Sequence, residues 1–253
     1  MNAPKRKGIP LKAKQVVTVG YMLGILWIRR HPSSIVYSAA MPFSLLFVVF
    51  VVGGGQNLPI AVAGGIVVAA VGYGMSLGTD LIWYRIDFRL QDFFISSQAS
   101  PFTYIGGMAV SLLLFGLPAL GILTAMMVYA TGSILVLPYV VAVIILVWGT
   151  MSMLSFIVSS RMPHTKNVEQ LAMVLQVVFG VLPPIFYSIE ILPEWLQTVA
   201  YLVPTTHASL VMQHAAGLES PTGWTPGLGL AVMSLYVIVL GALTRYVAIW
   251  RET

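Results

Sequence analysis

Long apolar stretches follow one another along almost the whole chain, separated only by short polar breaks, at residues 35–52, 60–84, 103–130, 134–158, 168–187 and 225–249. A bilayer core about 30 Å thick takes roughly 20 mostly apolar residues per helical crossing, so this spacing predicts six transmembrane helices. Of the 253 residues, 58% are hydrophobic and 8% charged, against about 25% charged in a soluble domain. Water is not the main solvent of such a chain. The expected fold class is all-α integral membrane, with residues 1–253 forming a single transmembrane domain. Cysteine is absent, which excludes disulfides, thiolate metal sites and cysteine nucleophiles together.

The placement of the basic residues supports the count. Lys and Arg occur in the N-terminal segment, at Arg85 and Arg89, at Arg161 and Lys166, and at Arg245 and Arg251. With six crossings, all of these fall on one side. The breaks at 53–59, 131–133 and 188–224 contain neither Lys nor Arg, although the last holds Glu190, Glu194 and Glu219. The positive-inside rule then predicts a multi-pass protein of the cell membrane with both termini in the cytoplasm. The net charge of +5 is thereby assigned to membrane topology, and no nucleic-acid partner is expected.

Two segments do not fit as spans. The apolar run 16–28 is too short to cross, and Lys12 and Lys14 precede it while Arg29 and Arg30 follow. With Trp27 as an interfacial anchor, residues 1–32 read as a cytoplasmic tail and an amphipathic helix on the membrane surface. A cleaved leader is the rival, but the run ends in Trp27-Ile28-Arg29-Arg30 and not in small residues. The segment 188–224 reads as two helical pieces, 191–202 and 205–216. Pro183 and Pro184 should break the fifth span near its outer end, Pro193 can start the next helix, and Pro204 divides the pieces. An extracellular re-entrant hairpin between spans five and six fits this pattern, and two helices on the outer surface are the alternative.

Few residues offer chemistry. No glycine-rich loop ending in Gly-Lys-Ser or Gly-Lys-Thr is present, so the chain lacks the phosphate cradle of a nucleotide hydrolase. Gly74-Met75-Ser76-Leu77-Gly78 matches a serine-hydrolase pattern, with His207 or His214 as candidate bases. Inside an apolar helix the same glycines read as a close-packing surface. His207 and His214, seven residues apart, read as interfacial histidines and His164 as a solvated one; no metal site is expected. Asp80 is the acidic residue within an apolar stretch, near the cytoplasmic end of the second span. It reads as a carboxylate satisfied by Tyr84 or a nearby cation, or as part of a gate. With no ionisable residue near the middle of a span, energy for transport would have to come from outside the chain. A path of Gly, Met and aromatic residues without buried charge would suit an apolar or amphiphilic molecule, though aromatics can also stack on sugars, and the substrate is left open.

After the second span, residues 84–97 alternate charge with large apolar side chains and predict a short amphipathic cytoplasmic helix, an interfacial anchor or a docking element. The segment Asp92-Phe93-Phe94-Ile95-Ser96-Ser97-Gln98-Ala99-Ser100-Pro101, closing at Gly107, is similar to the Glu-Leu-Leu-x-x-Ser-Pro-x-Ser stretch of type-2 ABC exporter permeases, with Asp92 in place of the usual Glu. Residues 179–207, with Leu192-Pro193-Glu194-Trp195-Leu196 and Val203-Pro204-Thr205-Thr206, resemble the re-entrant region of the same family. The resemblance implies a permease subunit with no catalysis or cofactor of its own, which dimerises, with an identical copy expected, above two ATP-binding subunits that carry ATP and Mg. It implies a coupling loop at 84–102 in which Arg85, Asp87, Arg89, Gln91, Asp92, Phe93, Phe94 and Ser97 meet the ATPase. It also implies an outer gate at Pro193, Trp195, Leu196 and Pro204. A channel or facilitator is the alternative, and an intramembrane serine protease a distant one.

Overall fold

The computed structural model describes residues 11–53, 58–86, 101–162, 164–218 and 220–247, and these are helical without any strand. The elements are α1 (Leu11–Gly20), a π-helical turn (Tyr21–Ile25), α2 (Leu26–Arg30), α3 (Ser34–Val52) and α4 (Leu58–Ile86). They continue as α5 (Pro101–Thr131), α6 (Leu137–Ser159), α7 (Thr165–Gly180), α8 (Glu194–Ala200), α9 (Pro204–Ala215) and α10 (Pro226–Val247). Among the described residues five helices are long and apolar enough to cross a membrane: Ser34–Val52, Leu58–Ile86, Thr103–Thr131, Ile134–Ser159 and Pro226–Thr244.

The remaining expected span is shorter than the sequence predicts. α7 stops at Gly180, whereas the apolar run continues to Tyr187. The cause is local. Pro183 and Pro184 offer no N–H to the preceding turn, and each disfavours α geometry in the residue before it. At 1.5 Å per residue α7 is roughly 24 Å long.

α4 is the axis of the bundle. Its apolar stretch is almost wholly buried, while few residues of α3 and α10 are buried along theirs. Burial on all sides demands small residues, because helices in lipid associate through close van der Waals approach. A Cβ on Gly74 would lie 2.6 Å from Met151 Cβ and 2.9 Å from the Trp148 carbonyl oxygen, and one on Gly78 would lie 2.8 Å from the Ser155 carbonyl oxygen. α6 can therefore lie against α4 only where α4 lacks side chains. Ser155 Oγ fastens the crossing by accepting from the Gly78 N–H at 2.9 Å and donating to the Met75 carbonyl.

Pro42 lies inside α3. Without an N–H it leaves the carbonyl four residues earlier, that of Ser38, without its helical donor. Tyr73 of α4 supplies the missing bond, its hydroxyl donating to the Ser38 oxygen at 2.9 Å. A defect in one helix thus becomes a specific contact with the next.

The N-terminal helices pack along α5. A Cβ on Gly20 would meet Val110 at 2.7 Å, one on Gly24 the Ser111 carbonyl at 2.6 Å, and one on Gly107 the Val19 side chain at 2.6 Å. The opposite face leaves Val17, Met22 and Trp27 exposed. One side of this segment is thus held by protein and the other left open.

Candidate functional site

The coupling residues expected from sequence fall mostly beyond description. Arg85 lies in the last turn of α4. Asp87, Arg89, Gln91, Asp92, Phe93, Phe94 and Ser97 lie outside the described residues. Beside Arg85, Trp83 Nε1 donates to Glu169 Oε1 at 2.8 Å, joining the end of α4 to the start of α7. The interface residues Lys14, Arg29 and Arg30 are exposed, and Trp27 lies 4.6 Å, ring to ring, from His31. Lys12 belongs to α1.

The outer segment is more regular than its sequence suggests. Pro193 caps α8 and Pro204 begins α9, as their fixed φ favours, with Val203 extended before Pro204. The two pieces differ sharply in burial. α8 exposes Trp195 at 70%, while α9 is buried from Pro204 to Gln213. The carbonyls released by the Pro183-Pro184 break are collected from below. Ser209 Oγ lies 3.0 Å from the Pro184 oxygen and 3.1 Å from the Ile185 oxygen, and Gln213 Nε2 donates to Ser209 Oγ at 3.0 Å. α9 is thus packed into the protein, whereas α8 keeps an open face.

His207 is not an interfacial histidine but a buried one, 4% exposed. Its Nε2 lies 2.9 Å from the Tyr201 carbonyl oxygen, and Trp224 Nε1 lies 3.3 Å from its Nδ1. A carbonyl only accepts and an indole N–H only donates, so the ring is fixed as the neutral Nε2–H tautomer. Burial lowers the pKa of His207, with the bond to the Tyr201 carbonyl acting against it. His214 is exposed, with Nδ1 3.1 Å from Ser220 Oγ. Ser76 Oγ donates to the Gly72 carbonyl at 2.9 Å within α4. The serine–histidine arrangement of a protease is thus not assembled: the serine is back-bonded and both nitrogens of His207 are engaged elsewhere. Among the described residues no group of three His, Asp or Glu gathers as a metal site.

A cavity of about 420 Å³ opens where the N-terminal segment, α3, α4, α5 and α7 meet. Trp27, Tyr37, Tyr73, Tyr84 and Phe115 give it aromatic walls, and Ser38, Ser76, Ser111, Gln176 and Asp80 make it polar. The sequence reads Asp80 as a helix-end carboxylate satisfied by Tyr84 or a nearby cation, or as part of a gate. It lies near the end of α4 and lines this cavity, as does Tyr84. Ser38, Ser111 and Gln176 escape a linear reading because they come from three helices that only the fold brings together. A second cavity of about 660 Å³ lies between α10 and the α8–α9 region, against Tyr201, His207, Trp224 and Tyr236.

No curated protein matches the chain. The family model for the ABC-2 type transporter matches residues 17–215, from the last turn of α1 to the end of α9. That stretch takes in the N-terminal helices, the glycine-packed α4, the proline-broken α7 and the buried α9, and the chain belongs to the ABC-2 type transporter family.

Proposed function

We propose that this multi-pass ABC transporter permease is the membrane subunit of an ATP-driven exporter, two copies of which enclose the substrate path above two ATP-binding subunits. The observation that carries the reading is the family match over residues 17–215, because the family normally works with an ATP-binding subunit. α7 acts as a sixth crossing, shortened by Pro183 and Pro184. α8 and α9 form a re-entrant hairpin over the outer exit, gated by Pro193 and Pro204, which open its two helices, and by Trp195 and Leu196 in the first turn of α8. Both termini lie in the cytoplasm. ATP and Mg are bound by the partner alone.

The loop from Arg85 to Ser97 is the coupling element of this reading. Its alternating charges and aromatics, with Asp92 opening the family-like segment, suit a groove on a cytoplasmic subunit where opposite charge sets register. Co-expression with the ATP-binding subunit should yield a complex whose ATPase activity depends on the permease. Asp92→Lys should reduce export and ATPase stimulation at unchanged membrane abundance, since wrong charge at a docked interface costs on the order of a few kcal/mol. Gln56→Lys in an outer loop is the control. Normal export by Asp92→Lys would remove the docking role from this loop. ATPase activity retained by the permease after complete removal of the partner would overturn the division of labour.

A further inference from the structure

We propose that the cavity beneath Trp27 binds lipophilic cations carrying an N–H donor, a protonated amphiphilic amine being the substrate class of this permease; the assignment of substrate, though not of binding, rests on the exporter reading above. Four hydroxyls on the cavity wall are already spent as donors. Ser38 Oγ donates to the Ile35 carbonyl at 2.9 Å, Ser76 Oγ to Gly72 at 2.9 Å, Ser111 Oγ to Met108 at 2.7 Å, and the Tyr73 hydroxyl to Ser38 at 2.9 Å. Each offers the cavity only the lone pairs of its oxygen. Among the described residues of the wall, the Asp80 carboxylate adds the single formal charge, and it is negative.

Such a lining discriminates by sign. The Gln176 amide and the Trp27 indole N–H also line the wall as donors, so the sign is set by the carboxylate: it repels an anion, whereas an ammonium group meets a charge partner, acceptor oxygens and the aromatic faces of Trp27, Tyr73 and Phe115. The lipophilic part has its own complement, because Leu23, Met41, Val68 and Leu112 complete the wall. Along α4 the cavity runs from Val68 to Tyr84, roughly 24 Å at 1.5 Å per residue. That length accommodates an amphiphile with its ammonium toward Asp80 and its apolar body toward Val68. An ionisable side chain kept inside a membrane domain is costly enough to require a partner, and a bound ammonium supplies one.

The test uses the full chain in phosphatidylglycerol nanodiscs, without ATP or partner, and the fluorescent primary amine dansylcadaverine, with empty discs subtracted. Its N-acetyl derivative has the same body without the charge. Wild-type protein should bind the amine and bind the acetylated probe at least about tenfold more weakly, as loss of a desolvated charge pair requires. Asp80→Asn should lose about the same factor for the amine, Asp80→Glu should restore most of it, and Phe115→Leu should weaken it less. Adding phosphatidylethanolamine to the discs separates two sources of the same ammonium chemistry: competition assigns the site to a lipid headgroup, and none assigns it to a free amine. Equal binding of amine and acetylated probe, or unchanged affinity in monodisperse Asp80→Asn, overturns the inference. Because no ATPase takes part, failure here leaves the exporter reading standing, and failure to couple to an ATPase leaves this binding result standing.

Discussion

Buried inside α9, the His207 imidazole has two neighbours that fix its tautomer, and the Trp224 N–H at Nδ1 leaves no place for a second proton. The Tyr201 carbonyl accepts from Nε2–H, and Trp224 Nε1–H, itself a donor, occupies Nδ1. Adding a proton at Nδ1 would set N–H against N–H and charge a buried ring. The pKa of His207 in the folded protein is accordingly lowered from 6.5, chiefly by burial. In the unfolded chain the ring binds its proton at higher pH, so the unfolded state carries more protons and stability rises with pH. The contribution of His207 is fully present above the ordinary histidine value and is lost as pH falls through the folded one. Thermal unfolding of wild type and His207→Gln, followed in detergent from pH 7.5 to pH 5, should therefore diverge below about pH 6.5, with wild type losing more of its margin. Parallel curves would show that His207 titrates alike in both states.

At the scale of elements, the α3–α4 contact makes a sharper prediction. Tyr73→Phe should leave the Ser38 carbonyl without its donor and cost about 1 kcal/mol. Pro42→Ala restores a backbone N–H to the same carbonyl, so the cost of Tyr73→Phe should largely vanish in that background. A double-mutant cycle of thermal stabilities measures the coupling, and additive effects would refute it. The glycines of α4 were legible in sequence as a packing surface, because Gly-x-x-x-Gly in an apolar run has one dominant use in lipid, and Gly74 and Gly78 pack directly on α6. The proline breaks around α7, α8 and α9 were legible for the same reason: a missing N–H is a local fact. The unequal burial of α8 and α9 was not. Both pieces are comparably apolar, and what buries α9 is its packing against α4, α6 and α10, with Ser209 tied to the carbonyls of Pro184 and Ile185, 24 or more residues distant. The Asp80 cavity was hidden likewise, since its acceptor-rich wall exists only when Ser38, Ser76 and Ser111 from three helices face one space.

At the scale of the whole molecule, the basic residues test the crossing count. α4 ends beside Arg85, α6 ends next to Arg161, and α7 starts at Thr165 with Lys166 in its first turn. The Trp83–Glu169 bond ties two of these ends together. If α3 to α7 each cross once, the ends bearing Arg85, Arg161 and Lys166 face the same compartment, and Gly132 and the α8–α9 region face the other. A K/R bias of this kind sets orientation on the cytoplasmic side. The chain has no cysteine, so single cysteines can be read without background. Ser133→Cys, at the α5–α6 turn, and Thr222→Cys, before α10, should react in intact cells with a membrane-impermeant maleimide. Lys166→Cys should react only after permeabilisation. The Thr222 site carries the decision about α7: with Ser133 outside and Lys166 inside, α6 crosses, and reaction at Thr222 from outside then requires α7 to cross as well despite its sixteen residues. Labelling of Thr222→Cys only after permeabilisation would leave five crossings, with α7 returning to the face it started from.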